Sequence, residues 1–172
     1  MRNFYERISD VRILLFSGGV ALVCMLLLYS SMGRVLPEGV PGVFSLQTAF
    51  SRERLLRIIS LWGEDALREY LRLTYLDFLY ALAYSLFLLG LIVRLGRVSA
   101  SRWKYAAGMP LLAGFLDWVE NILHLIFLPT FRDLSAGVVF LFSLISALKW
   151  GLALFSLAVV LLLFIKYALG RG

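Results

Sequence analysis

Four long apolar runs organise the chain, at about 12–32, 73–93, 105–128 and 137–167. A bilayer core of ~30 Å needs about 20 apolar residues in a helix, so each run is long enough to span. The fourth exceeds that length, which predicts tilt or protrusion. The pattern predicts an all-α integral membrane protein, a four-transmembrane-helix bundle forming one domain over 1–172. Between the first two spans lies a different pattern. Pro37, Gly39, Pro41 and Gly42 mark a loop, and Ser51 is placed to cap a short helix. Leu55, Ile58, Ile59 and Trp62 then recur at i, i+3, i+4, i+7, with Arg54, Arg57 and Ser60 on the other side. This amphipathic segment, about 51–72, is expected on the extracytoplasmic face, at the interface or as a lid on the bundle. Gly63 breaks it, and 64–72 begins a helix that runs into the second span. Pro110 is expected to bend the third span near its start, and Pro129 to end it.

Composition agrees with the pattern: 61% of the 172 residues are hydrophobic and only 16% charged. The formal charge of +6 would suit nucleic acid if it were concentrated, but the basic residues sit on short flanks of the apolar runs. They read as topology signals. Arg2, Arg7 and Arg12, then Arg94, Arg97, Arg102 and Lys104, then Lys166 and Arg171 place both termini and the second loop in the cytoplasm. The first loop is discordant, with six Arg (34, 52, 54, 57, 68, 72) against five acids (38, 53, 64, 65, 69). The first span follows a charged start, as a signal peptide does, but 29–33 is a poor cleavage site, so an uncleaved helix is expected. Cys24, the single cysteine, excludes an internal disulfide and any paired-thiol chemistry. Trp62 and Trp103, with Tyr105, are expected as interface markers.

Polar residues inside the apolar runs change the picture from architecture to chemistry. On a helix turning about 100° per residue, Asp117, Glu120, Asn121 and His124 share one face. Asp77, Tyr80 and Tyr84 share a face of the second span, and Lys149 lies mid-way along the fourth. A charge facing lipid costs several kcal/mol, so these faces must meet one another. At ~1.5 Å per residue, Asp77 and His124 lie roughly 6 Å from the outer ends of their spans; Tyr80, Glu120 and Asn121 lie 10–12 Å in, and Tyr84, Asp117 and Lys149 16–18 Å in. The matching depths predict a midplane ion pair of Asp117 with Lys149, beneath a polar pocket opening outward. Ser143, Ala147 and Gly151, and Ser17, Gly18, Gly19 and Ala21, are expected at close helix contacts.

Asp117, Glu120 and His124 are candidates for acid–base work, since carboxyls crowded in a low dielectric titrate apart and an imidazole can carry the proton between them. Asp77, Tyr80, Tyr84, Trp118, Asn121 and Lys149 are candidates for ligand binding, with Trp118 and Trp150 as cavity walls. The bland reading is that the cluster only fixes helix register. A lone histidine beside a lysine argues against a zinc site, and no cofactor motif is present.

The motifs L-D-F-L-Y-A-L-A-Y at 76–84 and D-W-V-E-N at 117–121, the lysine at 149 and L-L-R-I-I-S-L-W-G before the second span resemble a group of small bacterial four-span membrane proteins. That resemblance covers most of the chain, implies a prokaryotic inner membrane and supplies no activity. Four-span sterol isomerase and sigma-2-receptor-like proteins offer only an analogy of buried acids in a helical bundle. The leading expectation is a multi-pass protein binding a small amphipathic or lipid-like ligand, with acid–base chemistry as an added capability. The alternatives are a proton-coupled carrier, which with four spans would need a homodimer, and a non-catalytic accessory subunit.

Overall fold

The computed structural model describes residues 4–96 and 106–170, so Arg97, Ser99, Arg102, Trp103, Lys104, Tyr105, Arg2 and Arg171 lie outside the described residues. The described residues are helical and contain no strand. Short α1 (Phe4–Ile8) precedes α2 (Val11–Val35), capped by the Asp10 carboxylate, which accepts from the Arg12 amide. A short α3 (Val43–Gln47) leads to α4 (Arg52–Gly96), followed by α5 (Met109–Phe127), a 3-10 segment (Leu128–Asp133) and α6 (Ala136–Ala168). Four of these helices are long and apolar enough to cross a membrane. The chain is a helical membrane protein.

Helices α4, α5 and α6 pack mutually into a triangle, whereas α2 packs on α4 and makes no comparable contact with α5 or α6. Small residues set the close approaches. Gly114 of α5 lies against Ser85 and the Ala81 carbonyl of α4, and Gly18 of α2 lies against the Phe87 ring. Gly90 of α4 meets the Ile8 carbonyl and Leu14. The expected stripe on α6 holds only in part: Ser143 is buried, but Gly151 is exposed with open space around it. Apolar surface elsewhere on α6, from Phe140 to Ile165, points outward, as a lipid-facing helix requires.

One end of the bundle is closed by a compact cap. Leu55, Ile58, Ile59 and Trp62 are all buried, so the amphipathic helix packs its apolar face inward. They join Leu46, Ala49, Leu128, Leu134 and Phe142 in one core. Trp62 is therefore core rather than an interface anchor; its indole donates to the Pro41 carbonyl at 2.6 Å. Arg52 clamps the cap by donating to the Leu134 and Arg132 carbonyls at 2.8 and 2.7 Å. One of the discordant arginines thus has a structural role. Pro110 does not bend α5. It occupies the first turn, where its missing N–H has no helical partner to lose.

The two halves of α4 are joined through Gly63, at φ 78°, ψ 173°. That region is essentially confined to glycine and costs other residues of order 1–3 kcal/mol. The turn lets the amphipathic half fold back over the bundle end while the chain continues into the long half. Gly63→Ala is expected to lower unfolding free energy in detergent by about 1–3 kcal/mol. Gly19→Ala, at an open helical position, should leave it unchanged or raise it. Equal effects of the two changes in chemical denaturation would show that Gly63 carries no special constraint.

Candidate functional site

The triangle of α4, α5 and α6 encloses a charged cluster at its centre. Asp117 lies three residues beyond Gly114, where α5 approaches α4 most closely, so its carboxylate points into the interior rather than at lipid. Lys149 of α6 places Nζ 2.6 Å from Asp117 Oδ1 and 2.7 Å from Glu120 Oε2. Tyr84 of α4 donates to Asp117 Oδ2 at 3.2 Å. The expected pair is present, and Glu120 makes it a triad across two helices.

Above Glu120 on the same face, His124 Nδ1 lies 3.8 Å from Glu120 Oε1 and shares a hydrogen bond of 2.9 Å with the Tyr70 hydroxyl. Phe142 of α6 meets the imidazole edge-on. The Gln47 side chain lies against Tyr70, and its Oε1 accepts from the Trp150 indole at 3.0 Å. A polar chain thus runs from α3 through Gln47, Tyr70 and His124 to the Lys149 triad. Tyr70 and Gln47 were not among the expected residues. Tyr70 was readable, since it continues the heptad stripe of Asp77 and Tyr84 by one repeat. Gln47 sits on a five-residue helix with no period to betray it.

The cluster is closed. Asp117, Glu120, Asn121, His124 and Lys149 expose between 0 and 5% of their surface. Buried Tyr70, Leu73 and Leu128 cover the capped end, so no outward opening is seen there. Asp77, Tyr80 and Tyr84 are only partly buried. Asp77 also sits deeper than its residue count suggested. It is level with Asn121 and Asp117, while Tyr70 takes the level of His124. The reason is that α4 continues past Leu73 up to Gly63, so its packed length does not begin where its apolar run begins.

Helical geometry places that partly exposed stripe. Taking Asp77 as zero and ~100° per residue, Ala83, Phe87 and Gly90 point near −80° to −140° and face α2, whereas Ala81, Ser85 and Ile92 point near +40° to +80° and face α5 and α6. Asp77, Tyr80 and Tyr84 fall between the two sets, on the partly buried stripe of α4 left between α2 and the α5–α6 side. Helix α3 packs on both α4 and α6 at the capped end. Trp150 of α6 is 38% exposed, with Lys149 Nζ 5.7 Å from its ring. Trp118 is elsewhere: 42% exposed on the opposite flank of α4, where its indole donates to the Phe78 carbonyl at 3.0 Å.

Two buried groups keep unmet hydrogen-bonding capacity among the described residues. Glu120 has ionic contacts but no well-directed hydrogen bond to either oxygen, and Asn121 Nδ2 makes no well-directed hydrogen bond although the Asn121 side chain interacts with the Asp77 carboxyl. No group of three or more His, Cys, Asp or Glu among the described residues is arranged to hold a metal ion. No family model, curated protein or solved structure matches this chain.

The triad predicts unequal single-site effects. Lys149→Met strands two carboxylates and is expected to cost about 3–5 kcal/mol, the usual price of breaking a buried pair. Asp117→Asn leaves Lys149 with Glu120 and should cost less. Asp117→Asn combined with Lys149→Met recovers only part of the loss, and adding Glu120→Gln recovers more. Equal melting of all four variants in detergent would show that the contacts carry no energy.

Proposed function

We propose that this protein is a multi-pass protein of a prokaryotic inner membrane that binds a small amphipathic ligand, admitted sideways from the bilayer through the groove between α2 and α6. Asp77 is the observation that carries this reading. It is the least buried acid of the cluster, and tyrosines 80 and 84 lie along the same partly buried stripe. An acid in hydrocarbon is a functional feature by default, because its cost must be offset by a partner. A groove along that stripe would join an apolar path to polar groups, which suits a molecule with one polar end. The basic flanks at Arg7, Arg12, Arg94 and Lys166 support placing the uncapped end in the cytoplasm, with the cap outside.

A second reading, a proton-coupled carrier, draws on the three carboxyl groups that surround one lysine. It would use the lipid-facing surface of α2, with Leu15, Phe16, Leu22 and Leu26 exposed, to join a second copy.

A photoreactive single-chain amphiphile in lipid nanodiscs tests the first reading. Labelling at Tyr80, Tyr84 or Trp150 is expected to saturate and to fall when unlabelled amphiphile is added. Uniform, non-competed labelling that includes Leu79, Leu82 and Phe115 would reject a ligand site and leave the cluster with a scaffolding role.

A further inference from the structure

Helix α3 sits on a segment whose internal bonding lets it move as one piece. The Ser45 and Leu46 amides donate to the Gly42 carbonyl, and the Thr48 amide and hydroxyl donate to the Phe44 carbonyl. Among the described residues, the backbone from 41 to 50 bonds to other elements only at its two ends. The Pro41 carbonyl accepts from the Trp62 indole at 2.6 Å, and the Phe50 amide donates to Ser143 Oγ of α6 at 2.8 Å. Gly39, at φ 76°, stands before the segment, and Arg52, fixed to the Leu134 carbonyl, stands just after it.

Phe50 is conformationally strained. At φ 56° it is the one residue other than glycine with a positive φ among the described residues. A bulky side chain is disfavoured there, and such strain persists only where the surroundings hold it. Two contacts hold it here: the bond to Ser143 and the edge-on approach to the Phe140 ring, 6.1 Å between centroids. Both exist only while the segment is seated on α6, so lifting it releases the strain. Seated, it buries Leu46 and Ala49 and sets Gln47 between the Trp150 indole and Tyr70. Tyr70 in turn shares its hydrogen bond of 2.9 Å with His124 Nδ1.

We propose that residues 41–50 form a strap over the polar chain, which swings as a unit between Gly39 and Phe50 and, when lifted, admits water at the capped end to Tyr70 and His124. The strap controls access to the charged cluster from that end. This role goes beyond the amphipathic-ligand reading and does not depend on it.

Hydrogen exchange in nanodiscs, read together with modification of His124 by diethylpyrocarbonate, tests the strap. His124 is the only histidine in the chain, so its adduct is unambiguous. The amides of 45–50 are expected to exchange together, roughly tenfold faster than those of 55–62 in the amphipathic half of α4. Ser143→Ala removes one hydrogen bond of the seated form. It should speed both the exchange of 45–50 and the modification of His124 by about fivefold, and leave 55–62 unchanged. Phe50→Asn, better tolerated at positive φ, should exchange a few-fold more slowly over 45–49 than Phe50→Ala. If Ser143→Ala does not fold, the wild-type protein and the two Phe50 variants still decide the matter. Protection of 45–50 equal to that of 55–62 would overturn the strap, because the cap would then open only as a whole. Faster exchange in Ser143→Ala without faster modification of His124 would overturn its hold on access. Equal exchange in the two Phe50 variants would overturn the strained joint.

Discussion

Lys149 between Asp117 and Glu120 is the contact on which the arrangement of this bundle depends. In water such a contact would be worth little; in a bilayer its alternative is an ammonium or a carboxylate facing hydrocarbon. The pair is better regarded as a constraint than as a source of stability, since a buried ion pair often does no better than apolar residues of similar volume. What it fixes is rotation and depth. Only when α5 turns its Asp117–His124 face inward and α6 turns Lys149 toward it can both helices keep lipid-compatible outer surfaces. Tyr84 then ties α4 to the same point. Helix α2 brings no charge to the centre, and it packs on the outside of α4 through Ser17, Gly18, Ala21 and Cys24.

The cap follows from the same constraint. A polar cluster that reached the end of the bundle would be wet, and its ion contacts correspondingly weak. Here the amphipathic half of α4, the 3-10 segment and α3 converge over Tyr70 and Leu128. Gly63 supplies the turn, Arg52 the clamp to the Leu134 carbonyl, and Trp62 the apolar mass. Gln47 connects the cap to the interior by reaching Trp150 on one side and Tyr70 on the other. Any displacement of α3 would therefore disturb the surroundings of the Tyr70–His124 hydrogen bond.

Much of this was legible because helices convert spacing into direction. Asp117, Glu120, Asn121 and His124 share a face on the period alone, and Lys149 was paired with Asp117 by counting depth. The same count misplaced Asp77 because hydropathy marks where a helix enters lipid, not where it begins to pack. Trp118 and Trp150 were assigned to the interior by depth, yet each follows its charged neighbour by one residue and so points ~100° away from it. Direction, not depth, decides what a side chain touches. Gln47 and the cap contacts were not legible, since residues on short turns take their neighbours from tertiary packing rather than from any local period.

The open flank of α4 is where these constraints leave something undone. Three helices suffice to enclose Lys149, and a fourth packed against all of them would have sealed Asp77 as well. Instead α2 sits near −110° on the α4 wheel and α6 on the other side of Asp77, so the stripe between them is only partly buried. Gly90, against Leu14, and Gly18, against the Phe87 ring, give α2 its close seat on α4. A sequence selected only for a tight bundle would be expected to place apolar residues along the remaining stripe. This one places an aspartate and two tyrosines there, and sets a buried asparagine amide behind them. Polar groups in lipid persist where something offsets their cost. The triad offsets its own cost through Lys149, and Asp77 is tied to the same cluster through Asn121 and Asp117, so the feature left to explain is why a cluster held at the centre reaches the less buried stripe of α4 at all.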